Sequence, residues 1–409
     1  MTNIKSYIDP IRTDELRNSN FLHLTANEAQ MSETARTFLA SKINERYYMG
    51  GGDKDDIVDF GHFTALGIKS VESLIEAAKE AAKEMLGAAD VNLNVLSGVH
   101  SMICSLLSTT EPGDTIMTVP LEYGGDFATV GILQKVGRKQ VFADFDFENL
   151  RFDVEKIAKK IKENYVKAIY LDVSYYLNPH NLKELRAAVG PEVIIIYDAS
   201  HTMGLIMGKQ FQDPLSEGAD VISANTHKTL PGPHKGMIAF KNKEFADKAN
   251  AVIDGFLYSS PHMIHLVPLA ITLLEMKEFG QEYAKQVVEN SNAIAKAFAD
   301  FGYEVRKANT GRYSQDHQAH VFVDKMGNHL DLYKNLIVNN ISTNFEGSEL
   351  ANGKWFIRIG TQEVTRRGMK ETEIHEIAGL MDQALKGNNI RQKIVDMNKE
   401  FRKIYYSFD

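Results

Sequence analysis

The chain has little cysteine and no long apolar run. Its one cysteine, Cys104, excludes an intrachain disulfide, and its apolar neighbours indicate a buried, reduced thiol rather than a catalytic one. No run reaches the roughly 18 consecutive apolar residues that a membrane-spanning helix needs. The first 20 residues are polar with charges of both signs, so they do not indicate a signal peptide. We expect a cytoplasmic protein with no membrane partner.

Positive charge is also scarce, because 46 Lys and Arg face 54 Asp and Glu, for a net charge of -8. Nucleic-acid affinity depends on clustered Lys and Arg, so we expect no nucleic-acid partner and a small-molecule substrate instead. The histidines show no spacing typical of a metal site. At 409 residues the chain predicts two domains.

Apolar spacing predicts an α/β fold. A helix is expected from about Glu72, closed by Gly87, because four apolar residues recur on one face: Leu74, Ala78, Ala82 and Leu86. Six later runs have the length of strands, at 115–119, 140–143, 168–173, 193–197, 221–224 and 237–240. Helical stretches between most of them predict a largely parallel sheet that is covered on both faces.

The pattern changes near residue 268, where a long helix (269–301) is followed by strands near Glu304, 320–323 and 356–359. This change predicts a smaller α+β domain over 269–409. The large domain is expected over 47–268, and residues 1–46 are expected to form an N-terminal arm.

Polar residues at predicted strand ends are the candidates for chemistry, because ligands of parallel α/β sheets bind beyond the carboxyl ends of the strands. Asp198 and His201 follow one strand, and His227 and Lys228 follow the next. A lysine amine can condense with the aldehyde of pyridoxal 5'-phosphate (PLP), and a carboxylate can keep its ring nitrogen protonated. Alone, Lys228 is typical of a surface lysine and Asp198 of a solvated or capping carboxylate. Their separation by a single strand favours the cofactor interpretation.

Two further candidates would complete a PLP site. Ser97 and Gly98 stand at the start of a predicted helix, where free backbone N–H groups favour a phosphate, although the motif is weak. Arg358 could bind a substrate carboxylate through two parallel hydrogen bonds, and a structural salt bridge is an equal alternative.

Three segments carry a family resemblance that extends over nearly the whole chain: 197–205 (YDASHTMGL), 226–233 (THKTLPGP) and 357–368 (IRIGTQEVTRRG). Shorter matches lie at 24–28 and 112–116. With these segments the chain resembles serine hydroxymethyltransferase, a PLP enzyme of fold type I in the aspartate aminotransferase superfamily. The resemblance implies a mostly parallel, seven-stranded type of sheet and a homodimer with shared active sites.

The resemblance also implies roles for individual residues. Lys228 would be the Schiff-base lysine, Asp198 the partner of the ring nitrogen, and His201 a neighbour of the cofactor's 3'-oxygen, and these three are the expected catalytic residues. The further residues expected at the cofactor are Ser97, Gly98, His100, Asp126, Ser174, His227 and Ser260. At the substrate we expect Arg358 as the carboxylate clamp, together with Asn27 and Tyr47. Of these, Tyr47 would reach the neighbouring subunit's site.

Several positions depart from the family. Met49 stands where the family has a glutamate that handles protons on the substrate hydroxyl and on folate, and a thioether cannot transfer a proton. The paired glycines near the neighbouring subunit's phosphate appear as Ser259–Ser260, and the segment associated with folate is altered around 340–343. An extra stretch over 53–61 is expected to reshape substrate entry. Folate-dependent hydroxymethyl transfer is therefore not expected.

Asp126 stands where the family has a histidine stacked on the cofactor ring. Aspartate has no aromatic face, so stacking is either lost or supplied by Tyr123 or His100. Cleavage of a β-hydroxy amino acid needs a base for the hydroxyl, and His201, His227 and Asp126 are the candidates.

The leading hypothesis is a PLP enzyme that acts at the Cα of a β-hydroxy amino acid by folate-independent aldol-type cleavage or transfer, as an aldolase, a transaldolase or a relative of hydroxymethyltransferase. A racemase or an aminotransferase is the alternative. A binding protein without activity is a third class, which the retained Lys228, Asp198, His201 and Arg358 argue against. The reaction depends on which Cα bond lies perpendicular to the ring, and a sequence does not show that geometry.

Overall fold

A computed structural model describes residues 3–146, 149–347 and 353–409. Its helices are α1 (Lys5–Asn18), α2 (Glu33–Thr37), α3 (Lys69–Leu86), α4 (Gly98–Thr109), α5 (Phe127–Lys135), α6 (Val154–Asn164), α7 (Leu182–Val189), α8 (Met203–Met207), α9 (Pro214–Glu217), α10 (Lys243–Val252), α11 (Met263–Asp300), α12 (His329–Val338), α13 (Gln362–Arg366), α14 (Glu371–Leu385) and α15 (Arg391–Glu400).

The strands are β1 (Leu22–His23), β2 (Ile57–Asp59), β3 (Thr64–Leu66), β4 (Asp90–Asn92), β5 (Thr115–Thr118), β6 (Lys139–Phe142), β7 (Phe145–Asp146), β8 (Arg151–Phe152), β9 (Val166–Leu171), β10 (Ile194–Asp198), β11 (Val221–Asn225), β12 (Gly236–Phe240), β13 (Gln318–Phe322), β14 (Ile341–Ser342), β15 (Asn344–Gly347) and β16 (Trp355–Gly360).

The central sheet has seven strands in the order β4-β12-β11-β10-β9-β5-β6. Strand β12 runs antiparallel to both of its neighbours, and the other pairings are parallel. All six predicted strands are present, with ends within two residues of the expected ones. The expected mostly parallel sheet is therefore confirmed. Strand β4 was not predicted, because three residues at a sheet edge leave almost no periodic signal.

Both faces of this sheet are buried. Along β10, Ile195 and Tyr197 pack into one core cluster, while Ile196 points to the cluster on the opposite face. This alternation follows from the two-residue period of a strand, and burial on both faces explains why the strands are nearly continuous apolar runs. The predicted helix before the sheet is α3, and Gly87 ends it in the left-handed conformation at φ 62°.

A second core lies around the antiparallel sheet β13-β16-β15. It includes Leu22 and Leu24, and β1 pairs with β14, so part of the expected N-terminal arm packs into this core. Helix α11 begins at Met263 and crosses the expected boundary at residue 268 without interruption. The domain limits at 46 and 268 stay predictions. Among the helices of the described ranges, none has both the length and the apolar character of a membrane span.

A buried ion pair joins the long helix to the segment that follows β16. Nη2 of Arg366 lies 2.7 Å from Oε2 of Glu275, and both side chains are 1% exposed. The same guanidinium donates to the carbonyls of Tyr405 and Tyr406, so it also anchors the C-terminal segment. Breaking such a pair leaves an uncompensated buried charge, which costs much more than loss of an exposed pair.

We predict that Glu275→Gln lowers the free energy of unfolding by about 3–5 kcal/mol, because Arg366 stays charged and buried. Urea denaturation followed by circular dichroism measures the loss. Asp300→Asn is the matched control, since it breaks the exposed pair with Lys296 on the same helix and should cost little. Equal, small losses in both variants would contradict the assigned role of this pair.

Candidate active site

The predicted strand-end residues surround one cavity at the carboxyl edge of the central sheet. Asp198 ends β10, Lys228 follows β11, and both line the cavity with His201, Ser174 and Gly98. Parallel strands bring their carboxyl ends to one edge, which is why residues distant in sequence meet here.

Lys228 is partly buried, and its Nζ lies 3.0 Å from Nε2 of His201. Burial lowers the pKa of the Lys228 ammonium to about 8, although the Asp198 carboxylate opposes the shift; the Arg358 charge adds to it. A lysine with such a pKa is partly unprotonated near neutrality, which a nucleophilic amine requires.

Asp198 is held by two donors. The Tyr170 hydroxyl donates to Oδ2 at 2.6 Å, and the Ser200 backbone N–H donates to Oδ1 at 2.8 Å. Burial raises the pKa of Asp198, while the hydrogen bonds from Ser200 and Tyr170 and the Lys228 charge oppose that rise. The Tyr170 hydroxyl also lies 3.4 Å from Ser223 Oγ, which contacts Ser101 Oγ on α4 at 2.9 Å. A chain of hydroxyl groups thus leads from α4 to the Asp198 carboxylate.

His201 is 4% exposed, and its ring lies against His317 with centroids 5.6 Å apart. Burial, with the nearby Lys228 charge, holds the pKa of His201 well below its usual value, so the imidazole is neutral. Its Nδ1 is buried without a hydrogen-bond partner in the described ranges. A buried ring nitrogen of this kind is suited to a polar atom of a bound group.

Ser97 and Gly98, the residues expected to hold a phosphate, lie at the start of α4. Ser97 is the N-cap, and its Oγ accepts a hydrogen bond from the His100 backbone N–H at 3.1 Å. Gly98 lines the cavity, and a Cβ there would lie 2.8 Å from Cβ of Asn225. The absent side chain therefore leaves backbone N–H groups open to an anion.

Arg358, on β16, is 5% exposed and has two kinds of partner. Its Nη2 donates to Asn27 Oδ1 at 3.0 Å and lies 3.2 Å from Glu346 Oε1. Its Nη1 reaches the Ser174 carbonyl at 3.5 Å, while its Nε is buried without a partner in the described residues. The salt bridge that the sequence left open is thus present, beside unused donor capacity.

Two of the expected cofactor residues, His100 and His227, do not line this cavity. The His100 ring accepts from the Leu96 N–H at 2.9 Å and lies 3.0 Å from the Leu257 carbonyl, so its two nitrogens contact backbone groups. His227 stacks on His234 at 3.8 Å, and burial lowers its pKa to about 3. Neither ring lines the cavity described for the ordered ranges.

Asp126 does line the cavity, where its Oδ1 accepts from the Ala128 N–H at 2.7 Å and caps α5. Tyr123, the other suggested stacking residue, packs against Phe145 with centroids 5.9 Å apart. Tyr123 and His100 are therefore not positioned to supply stacking in the single chain.

Tyr47, Met49 and Ser260 belong to a different region of the single chain. Met49 and Ser259 line a separate cleft. Tyr47 is 58% exposed, and its hydroxyl lies 3.4 Å from Ser259 Oγ; hydrogen bonds to Ser259 and Ser260 lower the pKa of Tyr47. Residues 53–61 lead into the exposed β2–β3 hairpin beside this cleft.

Sequence reasoning missed Asp172, Tyr170 and Thr129, which also line the cavity. Asp172 was placed inside a predicted strand, 168–173, whereas β9 ends at Leu171 and Asp172 follows it. The strand-end rule would have selected Asp172 had the strand end been placed two residues earlier. Cys104 is buried, and burial raises the pKa of its thiol to about 12, which argues against a catalytic thiolate.

Comparison with known proteins agrees with this geometry. The family model "Serine hydroxymethyltransferase" matches residues 4–381. Serine hydroxymethyltransferase of Methanocella arvoryzae is 34% identical over 99% of this chain and 96% of its own length. Fluorothreonine transaldolase of Streptantibioticus cattleyicolor is 32% identical over 98% of this chain and 63% of its own length. The crystal structure of L-threonine transaldolase from Pseudomonas fluorescens, in its internal aldimine state, superimposes with a TM-score of 0.90 at 28% identity, covering 99% and 94% of the two chains.

The fold and the buried lysine site define a PLP-dependent transferase of fold type I. The chain belongs to the serine hydroxymethyltransferase family. The residues present fit the cofactor of that family, because a buried amine, a buried carboxylate, an unpartnered imidazole nitrogen and an open helix start surround one cavity.

We predict that Gly98→Ala weakens PLP binding about tenfold or more, because the added methyl group crowds Asn225 and the start of α4. Titration of the apoprotein with PLP, followed by visible absorbance, measures the affinity. Gly131→Ala is the control: it adds the same group within α5, where nothing lies within 4 Å of the new Cβ. Unchanged affinity in Gly98→Ala would show that this turn does not hold the phosphate.

Proposed function

We propose that this protein uses PLP to break and transfer the Cα–Cβ bond of a β-hydroxy amino acid without folate. The observation that carries the proposal is the grouping of the Lys228 amine and the Asp198 carboxylate at one cavity, with the buried Arg358 guanidinium next to Ser174 of the cavity wall. When bound, PLP supplies an electron sink for the pair released at Cα. The relatives named as transaldolases support this choice of reaction.

Each side chain has a defined task in this proposal. Lys228 would hold the cofactor through its amine and would move a proton at Cα. Asp198 would be the partner of the protonated ring nitrogen, and Tyr170 and Ser200 keep its oxygens in place. Arg358 binds the substrate carboxylate through two parallel N–H groups, which requires Glu346 to yield its contact at 3.2 Å.

The β-hydroxyl needs a proton acceptor, and two of the three candidate residues line the cavity. His201 and Asp126 line the cavity, whereas His227 does not. Neutral His201 can accept a hydrogen bond and lies 3.0 Å from the Lys228 amine, but burial lowers its pKa and makes it a weak base, so Asp126 stays the alternative proton acceptor. Met49 cannot serve as such a group. A folate-independent path is therefore favoured over hydroxymethyl transfer to folate.

A homodimer with shared sites accompanies this proposal. Tyr47 and Ser260 lie away from the Lys228 cavity of their own chain, and the Tyr47 side chain is largely exposed. In a dimer these residues would complete the cavity of the partner subunit, beside its phosphate and substrate positions. Sedimentation analysis of the purified protein tests the dimer. The cytoplasmic location stays a prediction.

The function is tested with PLP-loaded protein and L-threonine or L-serine, each with and without tetrahydrofolate and with an added acceptor aldehyde. We expect glycine and free aldehyde without folate, and a new β-hydroxy amino acid when the acceptor is present. Lys228→Ala should reduce the rate by about 10²-fold or more, because both the covalent attachment and the proton transfer are lost. Lys243→Ala, an exposed lysine on α10, is the matched control.

Two results would contradict the proposal. Strict dependence on tetrahydrofolate would assign the protein to hydroxymethyl transfer. Solvent deuterium at Cα without aldehyde release, or transfer of the amino group, would favour the racemase or aminotransferase alternative, in which Lys228 moves only the Cα proton.

A further inference from the structure

Two carboxyl groups stand side by side in the wall of the cavity. Strands β9 and β10 are parallel, and their register pairs Leu171 with Tyr197. Asp172, directly after β9, and Asp198, the last residue of β10, are the next two positions, and both side chains line the cavity. Adjacent strands are about 4.8 Å apart, so the two carboxyl groups are within strong electrostatic range.

The hydrogen bonds of the two groups differ. Asp198 accepts on both oxygens, as described above. Asp172 accepts on Oδ2 from the Thr129 hydroxyl at 2.7 Å and from the Asp126 N–H at 3.2 Å. Its Oδ1 is buried without a partner in the described ranges, and the residue is 5% exposed. Burying an ionised carboxylate with an unpartnered oxygen costs more than burying the protonated group.

The charged and titratable groups around Asp172 reinforce this difference. Asp198 and His201 face it from the β10 side, Asp126 from α5, Tyr170 from its own strand and Lys228 from the loop after β11. Lys228 is the one cation among these lining groups, and its charge acts on Asp198. With Asp126 as a third lining carboxyl group, the neighbouring Asp172 and Asp198 cannot both ionise easily beside a single ammonium, so one of them keeps its proton to a higher pH than an isolated carboxyl group does.

We propose that Asp172 is a positioning residue that shares one proton with Asp198 and, by its charge, sets how strongly Asp198 holds a protonated ring nitrogen. This inference rests on the proposed role of Asp198 at the cofactor. Burial and the Asp198 charge raise the pKa of Asp172 to about 7, while the Thr129 hydrogen bond opposes the rise. Asp172 is therefore neutral in mildly acidic solution and ionised in mildly alkaline solution.

The sign of the effect follows from this titration. Below pH 7 the neutral Asp172 resembles asparagine, so the wild type and Asp172→Asn should bind a protonated pyridine ring equally well. Above pH 7 the ionised Asp172 adds a negative charge beside the ring nitrogen and favours its protonated form. The affinity ratio of wild type to variant should thus rise with pH and then level off.

The probe is pyridoxamine 5'-phosphate, which has no aldehyde and cannot condense with Lys228. Calorimetric titration of the wild type and Asp172→Asn between pH 5.5 and pH 9 should give equal affinities at the acidic end. At the alkaline end the wild type should bind about tenfold more tightly, as expected for a single charge in a partly solvated wall. Taking the ratio removes the ligand's own titration, which both proteins share.

A second variant separates the charge effect from a structural one. Thr129→Val removes the hydroxyl that favours the ionised Asp172, so the rise in affinity should move to higher pH. If Asp172 merely anchored the start of α5 through the Asp126 N–H, Asp172→Asn would weaken binding at every pH and Thr129→Val would shift nothing. That result, or a ratio independent of pH, overturns the proposal.

A cofactor-free readout tests the coupling itself. Carboxyl ¹³C NMR of the apoprotein should show Asp172 titrating near neutrality, and Asp198→Asn should lower that midpoint because the neighbouring charge is removed. An unmoved midpoint overturns the shared proton even if the ligand binds. Failure of pyridoxamine 5'-phosphate to bind the wild type at any pH would instead overturn the proposed cofactor site, and this proposal with it.

Discussion

The burial of the Lys228 amine beside Asp198 is the constraint on which the rest of the site depends. Neither charge could be placed at the end of an apolar sheet alone, because desolvation of an unpaired ion is costly. The sheet brings both side chains to the same edge. Each Asp198 oxygen accepts one hydrogen bond, from the Tyr170 hydroxyl and from the Ser200 N–H. The same burial brings the pKa of Lys228 to about 8, where an amine can act as a nucleophile.

This arrangement separates two regions within one chain. The Lys228 cavity contains the groups suited to a cofactor, and Arg358 lies next to its wall, whereas Met49 lines a separate cleft and Tyr47 is largely exposed. Such a division is expected when each site of a dimer takes residues from both subunits. Three carboxyl groups, Asp126, Asp172 and Asp198, line the cavity with Lys228 as the one lysine among its described lining residues.

Much of this site could be predicted from the sequence, and the failures have physical reasons. Lys228, Asp198 and His201 follow apolar strands, and that signal survives without tertiary information. His227 has the same strand-end signal and His100 stands in the first turn of a helix, but the His227 ring stacks on His234 and the His100 ring contacts backbone groups, which only packing decides. Strand β4 was missed because an edge strand of three residues leaves almost no periodic pattern.

The most direct test of the central claim is to reduce the PLP-loaded protein with borohydride and to locate the attached pyridoxyl group by peptide mass spectrometry. Reduction fixes the cofactor to the amine that holds it. The account predicts a single modified lysine, Lys228, whose buried amine lies 3.0 Å from His201. Attachment to another lysine, or no attachment in protein that has bound PLP, would contradict it.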